Sequence, residues 1–505
     1  MLKLAVIGGG PSAACVVGAV ARHIAPEIQV SVTVFDPGPD LWRGRVFQPD
    51  GDEVLANVPM AEMSARAWDQ GHGTRWLLDR GMDEFATGTA VPPRWLVGRY
   101  LESSAAQAIT AIEALGSRVR VEAKAVRSLT VTEGVMRAQG DGWESGPFDH
   151  AVLCLGGSPS YDHYRLSGCP GFVGSPYPLH RSLAGVPEDA AVGVVGSGLT
   201  AIDVVMALRA RGHRGPISLM SRNGTLPAVR GKPAHHELRH LTVRRLEELR
   251  AADGGIGLDD LVGLVRAELV EAGADPDRVA ADLACTTPPV ERLRDDLKSA
   301  LDDDDPAWTV LRDAMVACGQ DAWHLLRDED KARVRTAHQA LMRNCCPMPP
   351  GNAQHLLALF DSGQLEVLPG VRSIEPRAGG GFRVGARRDI DVDVVVAAST
   401  PADHVPAPEA RPLVNSLVVQ GMAVPHALGG VRVDRTTSRL ITWRGVPSRR
   451  VYALGDLTHG AYLFTFGMPV LAARADGIVS DIKEGTPRDN VLVGHGEVPA
   501  DAPAA

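Results

Sequence analysis

The chain has 505 residues, too many for a single hydrophobic core, so two or more domains are expected. It is 45% hydrophobic and 22% charged, ordinary globular values, and its net charge of −9 speaks against a nucleic-acid partner, which rewards basic surface. No apolar run approaches the ~20 residues of a membrane span. A strand begins at once with no room for a leader, so a cytoplasmic protein with no membrane partner is expected.

LKLAVI reads as a short apolar strand, and GGGPSA follows it directly. Gly8, Gly10 and Ala13, with Pro11 and Ser12 between them, match the G-x-G-x-x-G/A pattern of a dinucleotide-binding turn. Glycine permits the tight turn and lets a pyrophosphate approach the backbone, while the helix start offers free N–H groups and a positive dipole end. A second strand, VSVTVFD, ends in Asp36, where an acid can hydrogen-bond a ribose hydroxyl.

SRVRVEA, KAVRSLTVTE and VMRAQ then read as a β-meander, and HAVLCLGG (His150–Gly157) as a strand ending near Gly156. The Gly-, Pro- and Ser-rich PSYDHYRLSGCPGFVGSPYPLH reads as a linker. After the strand AVGVV the glycine pattern returns as Gly196, Gly198 and Ala201, with Leu199, Thr200 and Asp203 on the helix it opens. The next strand, PISLMSR, ends in Ser221-Arg222 instead of an acid. A 2′-phosphate is then not repelled, and a hydroxyl and a guanidinium are available to bind it, which points to NADPH. An ordinary exposed arginine is the competing reading of Arg222.

Between about 231 and 350, TVRRLEELRAA, LDDLVGLVRAELVEAG and PDRVAADLA show helical spacing of apolar residues. This stretch is expected to be a helical insertion, serving as a substrate cap or in dimerisation. The run LDDDDPAW reads as a solvated loop, and His235, His236 and His240 as satisfied or solvent-facing, so no metal is expected. LEVLPGVRSIEP and DVDVVVAAST return to the second nucleotide fold. RRVYALGDLTHG is a strand ending in Gly455-Asp456, and LFTFGMPVLAARADGIVSDI a helix starting near Thr465, Gly467 and Met468. The Pro- and Ala-rich tail after Lys483 is expected to be disordered. Seven scattered cysteines without a CxxC pair give no support to zinc ribbons, iron–sulfur clusters or a redox dithiol.

The expected fold is α/β, with two Rossmann-like dinucleotide-binding domains and a helical insertion. The first nucleotide domain takes residues 1–185 and 401–485, the second 186–230 and 351–400, the insertion 231–350, and the tail 486–505.

GSGLTAIDVV with RGHRGPISLMSRNGTLP resembles the second nucleotide motif of the FAD/NAD(P)-binding flavoproteins related to class B and N-hydroxylating flavin monooxygenases. LANVPMAEMSARAWD (Leu55–Asp69) resembles the loop that wraps the isoalloxazine in that family, with Asn57 and Met63 at its characteristic positions and Val58 beside them. VPPRWLVGRYL (Val91–Leu101) resembles its Pro-Arg…Tyr-Leu segment, in which Arg94 is an expected cofactor contact, as is Trp42. The loop TLPAVRGKPAHH is longer than the family's, and the segment from Gly231 to Gly351 matches little beyond Trp323 and Arg343.

The resemblance implies FAD in the first fold, with the Asp456 carboxylate on the ribityl chain, and NADPH in the second. It implies an NADPH monooxygenase working through a flavin C4a-hydroperoxide, N-hydroxylating a small amine or amino acid, with an acidic, aspartate-like one as the narrower expectation. The partners are then a small-molecule substrate and molecular oxygen, and the insertion leaves room for a homodimer. Asn57 is the candidate catalytic residue, hydrogen-bonding near the flavin, with loop stabilisation as its alternative role. Arg94 and Arg343 are the candidates for a substrate carboxylate. An NAD(P)H-dependent reductase or electron-transfer protein without oxygenase activity is the alternative reading. A non-enzymatic flavin-binding scaffold is disfavoured by the intact glycine turns.

Overall fold

A computed structural model describes residues 1–24, 28–157, 160–232, 236–250, 254–284, 286–302, 306–399, 406–465 and 467–485. His235, Cys285, the aspartates 303–305 and the 486–505 tail, on which sequence expectations fell, lie outside them.

The apolar LKLAVI forms β1 (Leu2–Ile7), and the glycine turn leads into the helix Pro11–His23, with proline where a missing N–H costs nothing. β2 (Val30–Phe35) runs parallel to β1, from Leu2 against Val30 to Ile7 against Phe35. The helix Arg94–Ala114 then crosses back and delivers β3 (Arg118–Glu122) parallel to β2. SRVRVEA is therefore the edge of the parallel sheet rather than the first strand of the meander. A helical crossover returns the chain in the same direction, whereas a hairpin would reverse it. The charges of Arg118, Arg120 and Glu122 suit an open edge. The meander itself is β4 (Ser128–Thr132), β5 (Val135–Gly140) and β6 (Trp143–Phe148). β7 (His150–Leu153) rejoins the first sheet on the other side of β1.

The segment expected as a linker contributes β8 (Phe172–Val173), an edge strand of the second sheet. That sheet is built from β9 (Val192–Val195), β10 (Ile217–Ser221), β11 (Leu365–Pro369) and, beyond a second meander, the strand following it. The meander is β12 (Ser373–Pro376), β13 (Phe382–Gly385) and β14 (Ile390–Val392), and the strand after it is β15 (Val394–Ala397). β16 (Arg439–Ile441) and β17 (Pro447–Ala453) complete the first sheet, with β17 parallel to β7. The strand orders are β16-β17-β7-β1-β2-β3 and β11-β10-β9-β15-β8. From β1 in the first sheet and from β9 in the second, the chain builds outward and then jumps to that strand's other side. A crevice therefore opens at the carboxyl ends between β1 and β7, and again between β9 and β15.

Both sheets are covered on both faces, as parallel strands require. On the first, the helices Pro11–His23, Arg94–Ala114 and Met468–Glu484 bury Val16, Leu101 and Ile478 on one side. The first meander and the helix Arg411–Val419 bury Met136, Leu413 and Leu417 on the other. The second sheet is covered by the helices Leu199–Ala210 and Pro350–Asp361 on one face and the second meander on the other.

Between β10 and the helix Pro350–Asp361 the chain is helical. The longest helix there, Ala307–Leu325, buries Cys318 and Trp323 against Leu241, Leu463 and Phe464, so the insertion packs onto the C-terminal part of the first fold. No described helix is long and apolar enough to cross a membrane.

Candidate functional site

The two glycine turns sit at the two crevices for the same steric reason. Gly8 has φ +100°, and a Cβ there would fall on the Cys154 carbonyl oxygen at the end of β7. Gly196 has φ +129°, and a Cβ would lie 2.6 Å from the Ala398 carbonyl oxygen just past β15. In both folds only a hydrogen at Cα lets the first turn close against the strand across the crevice.

Around the first turn the expected residues converge from distant parts of the chain. The Gly9 N–H donates to Asp36 Oδ2 at 2.6 Å, placing that carboxylate at the lip of the turn, and the Trp42 N–H donates to the Gly9 carbonyl. Gly44 packs over Gly10 and Pro11, so the loop after β2 folds onto the turn. Gly156 and Gly157 follow β7, with Gly157 facing the Asp456 carboxylate, and Gly455 faces the Ser12 hydroxyl. Ala13 is fully buried where the helix meets the sheet. Behind these lies a small pocket lined by Gly455, Thr458, Tyr462, Thr465, Leu471 and Arg474, among others. Thr465 is 4% exposed, and its hydroxyl has no hydrogen-bond partner among the described residues. Met468 starts the helix Met468–Glu484 after Gly467. A buried orphan hydroxyl, a helix start and a carboxylate around one crevice fit a dinucleotide with a polar tail.

The 55–69 loop closes this region from the side. Met63 is buried in the core of the first fold, and Val58 packs against it. Asn57 is half-buried. Its carbonyl accepts from Arg230 Nε at 2.7 Å, while its side chain makes no hydrogen bond with the described residues. Arg230 also reaches Glu62 at 3.4 Å. Burial lowers the Arg230 pKa, Glu62 raises it, and the nearby Arg312 lowers it again. Arg45, half-buried close to Tyr177 and Asp456, has its pKa lowered chiefly by partial loss of water. Sequence reasoning singled out neither Arg45 nor Arg230. An arginine sitting just inside a loop that flanks a predicted crevice was the signal available.

At the second turn, Ser197 Oγ donates to the Thr225 carbonyl at 2.7 Å and lies 3.1 Å from Ser221 Oγ, which accepts from the Gly224 N–H at 2.9 Å. Ser221 is thereby held at the end of β10. Arg222 beside it is exposed. Leu199, Thr200 and Ala201 form the first turn of the following helix, above Gly198.

Three expected ligand residues have internal partners instead. Arg94 Nε and Nη2 both lie 3.0 Å from Asp203 Oδ2, the Tyr177 hydroxyl donates to the same oxygen, and all three side chains are buried. The pair joins the helix Arg94–Ala114 of the first fold to the helix Leu199–Ala210 of the second. Arg343 is buried against Asp296 and bonds Asn344 Oδ1 at 3.1 Å. Arg94 and Arg343, expected at a substrate carboxylate, and Asp203, expected at a cofactor, are thus matched within the protein, and a buried charge already paired is costly to redirect.

The expected histidine cluster is organised by an acid. Glu268 is fully buried and accepts from the N–H groups of Arg239, His240 and Leu241, with His236 Nε2 2.7 Å away. Burial would raise its pKa, but the bonds from Leu241, His236, Arg239 and His240 prevail and hold it at about 2.

Gln320 and Trp323 tie the insertion to the rim of the first crevice. Gln320 Nε2 donates to the Phe464 carbonyl at 2.7 Å, Gln320 Oε1 accepts from Arg474 Nε at 2.6 Å, and Trp323 Nε1 donates to the Gly460 carbonyl at 2.9 Å.

Residues 5–158 match the family model described as FAD-NAD(P)-binding. No curated protein sequence matches the chain. Among solved structures, the L-lysine 6-monooxygenase of Pseudomonas syringae aligns over 96% of this chain and 100% of its own, with a TM-score of 0.61 and 16% identity. The reduced form of the ornithine hydroxylase PvdA of Pseudomonas aeruginosa aligns over 96% and 99%, with a TM-score of 0.61 and 15% identity. The Kutzneria ornithine N-hydroxylase KtzI, solved with reduced FAD, NADP⁺ and L-ornithine, aligns over 95% and 98%, with a TM-score of 0.53 and 16% identity. At such identities the likeness is one of fold, and it extends over the insertion as well as both sheets. Residues 5–158 thus match the FAD-NAD(P)-binding family model, within a two-sheet fold similar to that of these structures.

Proposed function

We propose that the chain is an FAD- and NADPH-dependent monooxygenase that N-hydroxylates a small amine or amino acid, using molecular oxygen. The observation that carries this reading is the pairing of two glycine-turn crevices held together by the buried Arg94–Asp203 contact, the second ending in Ser221-Arg222. Support comes from the full-length fold likeness to a lysine monooxygenase and to ornithine hydroxylases.

The residues around the first crevice fit FAD. The N–H groups at the start of the helix Pro11–His23 would face its pyrophosphate, Asp36 a ribose hydroxyl, Asp456 the ribityl chain, and Thr465 with the start of the helix Met468–Glu484 the ring end. When bound and reduced by NADPH, the flavin supplies the activation of oxygen. In the second fold, Gly196 and Gly198 make room for the NADPH pyrophosphate, and Ser221 and Arg222 hold the 2′-phosphate. The insertion, docked through Gln320 and Trp323, excludes water from the first crevice. For the substrate, the narrower reading is an acidic, aspartate-like amino acid, and it rests on the sequence resemblance alone, because Arg230 by the Asn57 loop already bonds the Asn57 carbonyl and reaches Glu62.

The test is purification with bound flavin, followed by NADPH oxidation with a panel of amines and acidic amino acids, measuring hydroxylamine and hydrogen peroxide separately. A substrate that raises turnover and shifts product from peroxide to hydroxylamine supports the reading. Fast NADPH oxidation with an artificial acceptor, and no amine dependence, would replace it with an electron-transfer reductase.

A further inference from the structure

The carboxyl edge of the second sheet carries a group of side chains that the reading above does not use. Just past β15, the Tyr161 N–H donates to the Ser399 carbonyl at 3.1 Å, which anchors residues 160–164 across the crevice from β10. The loop presents Tyr161, 48% exposed, with its ring edge-on to His163 at 4.7 Å between centroids, and Tyr164 at 6.5 Å from the same imidazole. His163 is itself exposed. The exposed Arg222, on the opposite side of the crevice, lies close enough to act electrostatically on both His163 and Tyr164.

Tyr164 is half-buried against the second meander, which leaves the exposed Tyr161 ring, the imidazole and the guanidinium facing the open end of the crevice. An adenine ring would find aromatic faces, and a phosphate on the adjoining ribose would lie between two nitrogen bases. We propose that the 161–164 loop is the second wall of the adenosine 2′-phosphate pocket, and that His163 in its charged form is a specificity-determining residue that strengthens the choice of NADPH over NADH as the pH falls. The inference rests on the reading that the second fold takes NADPH.

The charged and titratable groups around the imidazole, among the described residues, support this. Arg222 faces it from the end of β10, and Asp162, Tyr161 and Tyr164 flank it on its own loop. The Asp162 carboxylate already accepts from the N–H groups of Leu166 and Ser167 and from the Ser167 hydroxyl. Without a bound phosphate, partial loss of water around the ring and then Arg222 lower the His163 pKa, with Asp162 opposing. A dianionic phosphate placed between His163 and Arg222 reverses the sign of that field, so its binding draws a proton onto the imidazole.

The experiment uses the flavin-loaded full chain with 2′,5′-ADP and 5′-AMP as probes, in calorimetry at pH 6, 7 and 8, on the wild type and His163→Asn. In the wild type the preference for 2′,5′-ADP over 5′-AMP should rise about fivefold or more from pH 8 to pH 6. In H163N that rise should vanish or reverse, because the phosphate's own protonation near pH 6 opposes it. Wild-type protein should also take up a proton on binding 2′,5′-ADP at pH 7, seen as a heat that depends on the buffer's ionisation enthalpy. This second readout does not depend on the variant folding. A pH dependence identical in both proteins, or no proton uptake, overturns the role of His163 while leaving the NADPH site intact. No preference for 2′,5′-ADP at any pH overturns the NADPH reading itself, and the inference with it.

Discussion

Replacing Glu268 by glutamine should loosen the 236–241 loop by a calculable amount. Its carboxylate is fully buried and held at about 2, against an ordinary 4.5, by hydrogen bonds from one turn of backbone and one imidazole. At about 1.4 kcal/mol per pH unit, that shift corresponds to about 3 kcal/mol favouring the folded loop at neutral pH. The folded value is depressed, so the contribution is full above about 4.5 and is lost as the pH falls through about 2. E268Q removes the charge and turns amide hydrogens toward N–H donors that need an acceptor. In a chain of several domains the effect is best read locally, by hydrogen exchange of the Arg239, His240 and Leu241 amides. At pH 7 they should exchange roughly 100-fold faster in the variant. The difference between the two proteins should shrink as the pH drops from 4.5 toward 2. Exchange within about threefold of the wild type at pH 7 would refute the assignment of Glu268 as the loop's anchor.

Gly8→Ala should cut flavin retention on purification at least about tenfold, because the Cβ collides with the end of β7; absorbance near the flavin band against protein concentration reads this directly. Gly196→Ala should leave flavin content unchanged while weakening 2′,5′-ADP binding by about tenfold or more in calorimetry, and loss of both ligands together would show that the two crevices are not separate. Arg94→Met should destabilise by about 3–5 kcal/mol in denaturant titration by stranding Asp203, and adding Asp203→Leu should restore most of it. A double variant as weak as the single one would mean the charge pair is not what matters there. Trp323→Phe should cost about 1–2 kcal/mol by leaving the Gly460 carbonyl unsatisfied, read as faster exchange in residues 459–463.

Both glycine turns, the flanking strands and the helical character of the insertion were legible because each rests on local rules: apolar runs, small residues at set spacing, a helix start. Pairing partners were not. SRVRVEA alternates as a meander strand would, and only the preceding crossover helix makes it parallel to β2. In the expected linker, Phe172 and Val173 carry no signal strong enough to mark an edge strand of two residues. Among the site residues, Asp36, Gly156, Gly455, Asp456 and Thr465 gather around one crevice, although the chain between them spans most of its length. The arginines misled for the opposite reason. Nothing near Arg94 or Arg343 in sequence announces Asp203 or Asp296, so their charges looked available when the fold had already matched them. Arg45 and Arg230 stayed hidden because burial of a guanidinium leaves no local pattern.

The Arg94–Asp203–Tyr177 cluster also bears on how such a chain can change by recombination. Its arginine belongs to one nucleotide module, its aspartate to the other, and its tyrosine to the segment that joins them. A foreign second module spliced in behind Val186 would bring no matching acid, and would leave a stranded cation at the seam. An exchange of the second module would therefore have to carry the Asp203 position with it, whereas the Phe464 and Gly460 carbonyls, which receive Gln320 and Trp323 of the insertion, are groups that any sequence provides.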